Sequence, residues 1–424
     1  MRQWIAIGAA VGLVAVTLPM LRKQDDKISS MLAKANIAAA ATGGPVVTRE
    51  VTPPPLEGVD LTRIDDRGDV ATAPGFGTRK VELTLNPKYQ RAALGFLREG
   101  HVPEGAVVMT EIKTGRVLVW ASYVMDGTMH DVASEATAPS ASVFKVVTGS
   151  ALIEAGLPAS TRVCYSGGEH NIKASDLVEN KKRDKWCATM GQAMGRSLNA
   201  VFARLADKNL TKDKLTNMAN RLGWGQDLPF DVKIAQSALN FPDDELGFAR
   251  TAAGFWNTTL SPFQGVNLAT TMANGGEMIR LSIVSSVKDD AGEIYHGPTA
   301  RQVIRRAIEA NVATQVTSMM EQTVDNGTSY KSFHDRNGKS YLPDIRVAGK
   351  TGTLTKPVAE GPFYTWWVGF APSNKPEVAL SVLVANRPKW RVKATNIASD
   401  MLRVYFADKK APGVTDPRDA GSRR

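Results

Sequence analysis

In the stretch Ala138-Pro139-Ser140-Ala141-Ser142-Val143-Phe144-Lys145 a serine and a lysine stand three residues apart, a pairing that can turn a weak hydroxyl into a nucleophile. Downstream, Val146 to Ala155 carries apolar side chains at helical spacing, and Gly156 supplies a stop. The sequence therefore predicts a helix with Ser140 as its N-cap and Ser142 in its first turn. Residues three apart on a helix share a face, so the Lys145 amine falls within about one turn of the Ser142 hydroxyl. The positive end of the helix dipole favours oxyanion character at that serine. This is the arrangement of an activated serine with its base.

The pattern is common by chance, and the chain contains a second copy, Ser285-Ser286-Val287-Lys288. That copy ends an alternating run from Leu281 to Lys288, just before Asp289-Asp290-Ala291-Gly292. It reads as a strand, where residues three apart point to opposite faces. Its lysine cannot serve its serine.

Two further groups could complete a site. Ser197-Leu198-Asn199 lies within Met194 to Arg204, and by itself the serine is an N-cap opening a helix from Leu198 to Ala206. Lys350-Thr351-Gly352-Thr353 follows Val347-Ala348-Gly349 in an extended run, where a missing side chain lets another backbone approach closely. Lys113-Thr114-Gly115 repeats the tripeptide, but between two β-rich runs, Gly105–Ile112 and Arg116–Tyr123, where it makes a hairpin turn.

The surrounding elements follow from periodicity. Val81 to Gln90 alternates like a strand and Gln90 to Arg98 is helical, so the folded domain is expected to begin at Val81. Pro158 to about Phe241 has mostly helical pattern and predicts a second, helical lobe. A strand pair near 281–296, a helix from Ala300 to about Val324, strands near 346–354, 363–370 and 378–384, and a closing helix from Ala394 to Ala407 complete the pattern. Strands at both ends with helices between them imply an α/β (α+β) fold.

Composition sets the limits. With 424 residues, 43% hydrophobic and 22% charged, the chain can build one large domain with accessories. The net charge of +10 is spread out apart from Lys181-Lys182-Arg183 and the termini, so nucleic acid is not an expected partner; an anionic polymer or a membrane face suits it. Trp4 to Leu21 is an uncharged apolar run flanked by basic residues, just long enough to span a bilayer. No small-x-small cleavage site follows, which favours an uncleaved anchor at 1–23. Residues 24–80, with an Ala-rich patch and Thr52-Pro53-Pro54-Pro55, read as a flexible tether, 81–410 as the catalytic domain, and 411–424 as a disordered tail. Cys164 and Cys187 are the only cysteines. An even count in an exported domain makes a disulfide the favoured reading, with buried thiols as the alternative. No cluster of His and Cys points to a metal, and no cofactor is implied.

Taken in order, Ser-x-x-Lys, Ser-x-Asn and Lys-Thr-Gly form the signature of active-site serine enzymes acting on penicillin-type substrates. Over about Val81 to Asp408 the sequence resembles the penicillin-binding protein transpeptidases. Thr84–Gln90, Thr259–Gln264 with Ala273–Gly276, and Trp366–Pro372 echo the same family. The resemblance implies a mostly antiparallel five-stranded sheet covered by helices, an all-helical lobe, and an active site between them. It implies that Ser142 attacks the carbonyl of a terminal D-Ala-D-Ala while Lys145 accepts the proton. Ser197 would relay a proton to the leaving amine, Asn199 would orient Lys145 and the substrate amide, and Lys350 would set the electrostatics. Thr351, Gly352 and Thr353 would line the substrate site, with the two threonines meeting the terminal carboxylate, and the backbone N–H groups of Ser142 and Thr353 would form the oxyanion hole. A lysine near pKa 10.4 is a poor base at neutral pH. A second ammonium about 5 Å away at an effective dielectric of about 20 would lower it by about two units.

The departures narrow the reading. The region before Val81 is too short for a glycosyltransferase, so a bifunctional polymerase is not expected. The nearest match to the E-x-x-L-N of class A β-lactamases is Gln236-Ser237-Ala238-Leu239-Asn240, and glutamine cannot activate a deacylating water. The expected activity is D,D-transpeptidation of peptidoglycan stem peptides, with acylation by β-lactams. Its expected place is the bacterial inner membrane with the domain in the periplasm, and cell-wall synthesis machinery is a possible partner. The alternatives are a D,D-carboxypeptidase using water, and a non-catalytic sensor or scaffold that binds wall peptides.

Overall fold

The computed structural model describes residues 53–168, 171–355, 362–388 and 391–410. Five strands pair into its central sheet: β1 (Glu104–Glu111), β2 (Val117–Val124), β3 (Ala348–Thr355), β4 (Phe363–Ala371) and β5 (Val378–Asn386). They are antiparallel in the order β3-β4-β5-β1-β2. The helices that frame the sheet and the site are, in chain order, α1 (Pro87–Glu99), α2 (Lys145–Glu154), α3 (Met190–Arg196), α4 (Asn199–Asn209), α5 (Glu245–Ala252), α6 (Pro262–Ala273), α7 (Ala310–Asp325) and α8 (Ala394–Lys410).

Alternation sorts the sheet's side chains into two cores. Ala106 and Val108 of β1, Trp366, Val368 and Phe370 of β4, and Ala379 and Leu383 of β5 join one core with Phe263, Val266 and Ala269 of α6. Val107 and Met109, Trp367, and Leu380, Val382 and Val384 join the other with Leu97 of α1 and Ile397, Met401 and Leu402 of α8. With helices on both faces, all nine residues of β5 are buried, which explains why it reads as a continuous apolar run. Full burial of each such side chain contributes about 1.5–3 kcal/mol. The five-stranded sheet and the helical lobe match the expected α/β (α+β) fold.

Three local expectations are corrected. Residues 54–80 are not a tether. Leu61, Ala71 and Ala73 are buried in the first core, Asp60 caps a 3₁₀ turn at Leu61–Arg63, and Thr72–Pro74 pairs with Lys80–Leu83. The latter pairs in turn with Val284–Asp289. The few apolar residues here lack helical or strand period because they dock on a strand two hundred residues away. Second, the helix expected from Ala300 begins at Ala310, because Val303–Arg306 pairs with Glu277–Ile279. Third, the helical lobe carries a hairpin, Arg162–Tyr165 with Trp186–Thr189, in which Cys164 and Cys187 are bonded through sulfur. The second Ser-x-x-Lys lies on the strand Val284–Asp289, and Lys288 pairs with Glu82 at 2.6 Å rather than with Ser285.

No helix among the described residues is long and apolar enough to cross a membrane. The anchor expected at Trp4–Leu21, residues 24–52 and the tail at 411–424 lie outside the described residues.

Candidate active site

Ser142 sits in a 3₁₀ turn, Ala141–Phe144, that leads directly into α2 at Lys145. Ser140 is not the helix cap expected of it: its side chain makes no capping bond and instead meets Thr258 Oγ1 at 2.5 Å. That pairing belongs to a bridge between Ala138–Pro139 and Thr259–Leu260, invisible to local pattern. Ala141 has φ of 49°, a left-handed conformation that costs a non-glycine residue roughly 1–3 kcal/mol and survives only where neighbours over-determine it. Here Trp366 Nε1 donates to Pro139 O at 2.8 Å and Ser140 N donates to Thr258 O at 3.0 Å. The loop after α5 closes on the other side. Gly254, at φ +84°, lies where a Cβ would come within 2.4 Å of Ala141 O; only glycine allows both the backbone angle and the approach.

That approach delivers a carbonyl to Lys145. Lys145 Nζ lies 2.8 Å from Ser142 Oγ, 2.6 Å from Asn199 Oδ1 and 2.5 Å from Ala253 O. The last two are pure acceptors, and a neutral amine has two N–H groups to give them. Its lone pair is then left facing the hydroxyl of Ser142, as a general base requires. Lys145 is completely buried, and its pKa lies well below the ordinary lysine value, first because burial penalises the ammonium and second because Lys350 adds a like charge. The sequence argument rested on the second effect; the fold makes desolvation the larger.

Lys350, also without solvent exposure, is pushed down to about 7 by burial. Its Nζ reaches Ser197 Oγ at 3.0 Å and Thr351 O at 2.8 Å. Ser197 is not the N-cap expected of α4. It ends α3 in a left-handed conformation with φ of 57°, and Leu198 holds the N-cap position of α4. The reversal at Ser197 lets its hydroxyl face Lys350 while Asn199 turns to Lys145. Between them lies a groove of about 410 Å³ lined by Ser142, Ser197, Asn199, Thr351, Gly352 and Thr353, with Thr328, Thr365, Trp366, Lys393 and Thr395. None of the described lining residues is a carboxylate. β3 is an edge strand, so the backbone groups on its free side have no ladder partner, and that strand packs on the Ser142 turn. Gly352 there admits Ala141, whose Cβ would stand 3.1 Å from an added one.

All of the residues expected in the groove are therefore brought together, and the Cys164–Cys187 bond lies outside it. Sequence reasoning missed Ala253, which contributes only a carbonyl and carries no side-chain signal. It also missed Thr328, whose Oγ1 meets Thr351 Oγ1 at 2.5 Å from the turn after α7, a contact across the fold that no local pattern signals. Gln236 binds Asp227 at 2.7 Å and does not line the groove. Lys113-Thr114-Gly115 lies in the β1–β2 turn with Lys113 exposed. Among the described residues no group of His, Cys, Asp and Glu could hold a metal ion.

Comparison with known proteins finds a matching family and similar folds. Residues 105–403 match the family model of the penicillin binding protein transpeptidase domain. The peptidoglycan D,D-transpeptidase PbpA of Mycobacterium tuberculosis is 27% identical over 342 residues, covering 72% of this chain and 67% of that protein. The imipenem acyl-enzyme complex of penicillin-binding protein A from M. tuberculosis superimposes with a TM-score of 0.61 at 25% identity, over 77% of this chain and 80% of that one. The D,D-transpeptidase domain of an Eggerthella lenta peptidoglycan glycosyltransferase, at 23% identity and TM-score 0.64 over 78% of this chain and 83% of that one, shares the fold.

Proposed function

The chain belongs to the penicillin-binding protein transpeptidase family, and on that premise we propose that it is a cell-envelope peptidoglycan D,D-transpeptidase that crosslinks stem peptides through an ester on Ser142 and is acylated there by β-lactams. The observation that carries the reading is the three-partner environment of Lys145 Nζ, two acceptors and one hydroxyl. Ser142 Oγ attacks the carbonyl of the penultimate D-Ala as its proton passes to Lys145. The negative oxygen of the tetrahedral intermediate is held by the backbone N–H groups of Ser142 and Thr353. Collapse breaks the peptide bond; the departing D-Ala amine takes a proton through Ser197, which Lys350 adjoins. Thr351 and Thr353 meet the substrate's terminal carboxylate beside the Lys350 charge. A stem-peptide amine then attacks the ester and restores Ser142. The segment Trp4–Leu21 serves as a single-pass anchor in the inner membrane, with the domain in the periplasm.

Labelling with a fluorescent penicillin, followed by intact-mass mapping and a chase with unlabelled drug, tests this. One adduct on Ser142 that survives many minutes of chase is expected, because no described carboxylate lines the groove and general-base assistance to a deacylating water is worth about 10²–10⁴ in rate. Absence of an adduct, or its transfer to another residue, overturns the assignment; rapid loss of label with repeated turnover makes the protein a β-lactamase instead.

A further inference from the structure

A second cavity opens beside the catalytic groove. It encloses about 220 Å³ between Tyr165, Gly167, Gly168, Arg196 and Leu198, and it shares Ser197 and Asn199 with the groove. One lysine nitrogen separates Asn199 from Ser142 Oγ. The cavity therefore begins at the distance spanned by one or two peptide residues, about 3.5 Å each.

Its outer wall is built and braced. Gly168, at φ +75°, packs so tightly on α4 that an added Cβ would stand 2.7 Å from Ala200 Cβ. Tyr165 belongs to the hairpin closed by Cys164–Cys187 and lies 6.4 Å from the ring of Trp186. Arg204 of α4, itself buried, donates to Cys164 O at 2.6 Å, to Asp176 O and to Asp184 Oδ2 at 2.8 Å. The disulfide and this guanidinium thus fix the hairpin against the helix that begins at Asn199. The chemistry of acyl transfer uses neither.

Arg196 is the one charged group among the described residues of the wall. It is exposed, and among the described residues nothing pairs with it, whereas Arg204 and Arg221 in the same lobe each hold a carboxylate. A planar guanidinium with free donors beside a peptide-binding groove suits a carboxylate.

We propose that this cavity receives the side chain of the donor residue preceding D-Ala-D-Ala, and that Arg196 selects donors whose side chain there ends in a carboxylate over those ending in an amide or amine. The inference rests on the transpeptidase reading and names its substrate class. The disulfide-bonded hairpin holds Tyr165 as the cavity's outer wall, and Arg196 supplies the charge.

Two β-lactams whose acyl side chain imitates that residue, one ending in a carboxylate and the other in the matching carboxamide, test this on the full chain. The rate of Ser142 labelling by each is measured on the same protein, and their ratio is the readout, so a general loss of activity cancels. The carboxylate compound is expected to react about fivefold faster with the native protein, within the range for an exposed charge-assisted contact. In Arg196→Gln the ratio should fall to about one, and Arg196→Lys should recover part of it. Equal rates on the native protein, or a ratio that survives Arg196→Gln, overturn the proposal, as does a carboxylate preference appearing only when an amine acceptor attacks the finished ester. Failure of both compounds to label Ser142 would instead refute the transpeptidase reading itself.

Discussion

Lys145 and Lys288 each follow a serine by three residues, and Lys350 and Lys113 each begin a Lys-Thr-Gly. One member of each pair has no solvent exposure, whereas the other is exposed. Lys288 sits on a strand and answers Glu82; Lys145 opens a helix and faces a hydroxyl and two acceptors. Identical letters become a buried amine beside a hydroxyl in one place and a surface charge in the other, and burial strips water from the ammonium and lowers its pKa. The copies gathered at the candidate site are those that the fold desolvates.

The most drastic way to break this contrast is at the nucleophile pair. Ser142→Ala should abolish the penicillin adduct, and Lys145→Ala should slow its formation by about 10²–10⁴, the usual worth of a general base. Lys288→Ala should leave the rate unchanged. Comparable losses at positions 145 and 288, measured by stopped labelling and mass spectrometry, would show that burial does not discriminate the two copies.

A second test moves from the lysines to the hairpin that braces α4. Replacing Cys164 and Cys187 together with serine frees a loop of sequence separation 23, and should cost about 3 kcal/mol of stability. Denaturant unfolding of native and variant proteins, both unreduced, measures this. A variant as stable as the native protein would mean that the arm is held by Arg204 alone.

Within the Lys-Thr-Gly pair, Lys350→Ala should slow acylation by roughly 10- to 100-fold, the range for a lost charge-assisted contact, and Lys113→Ala should not. Equal behaviour would locate the substrate carboxylate elsewhere.

The smallest effect is a pH dependence. Lys145 must be neutral to accept a proton, so acylation rises with pH as that buried lysine, lowered by desolvation and by Lys350, loses its proton. Lys350 must be charged to attract the drug's carboxylate, and with its pKa lowered to about 7 that charge fades as pH rises through neutrality. The second-order acylation rate should therefore be bell-shaped, its alkaline limb beginning near pH 7. A rate that keeps climbing above pH 8 would show that Lys350 stays protonated in the free protein.

Much of this was readable from the chain alone. The β-rich and apolar runs near 105–112, 116–123, 346–354, 363–370 and 378–384 placed all five strands of the central sheet, because the residue types that favour a pleated, buried strand are a local property that survives packing. Residue type and order singled out Ser142, Lys145, Ser197, Asn199 and Lys350, and the fold brings their side chains together. Tertiary structure decided what depends on distant partners. Thr78 meets Asp290 across 212 positions and Leu61, Ala71 and Ala73 enter the core, so residues 54–80 became part of the domain although no local period announced it. Ala253 reaches Lys145 across 108 positions through a carbonyl that every residue possesses. The left-handed turns at Ala141 and Ser197 oppose local preference and persist because packing over-determines them. The lysine pKa values follow the same logic: the residue type sets the starting value, and only the assembled fold removes the water that holds it there.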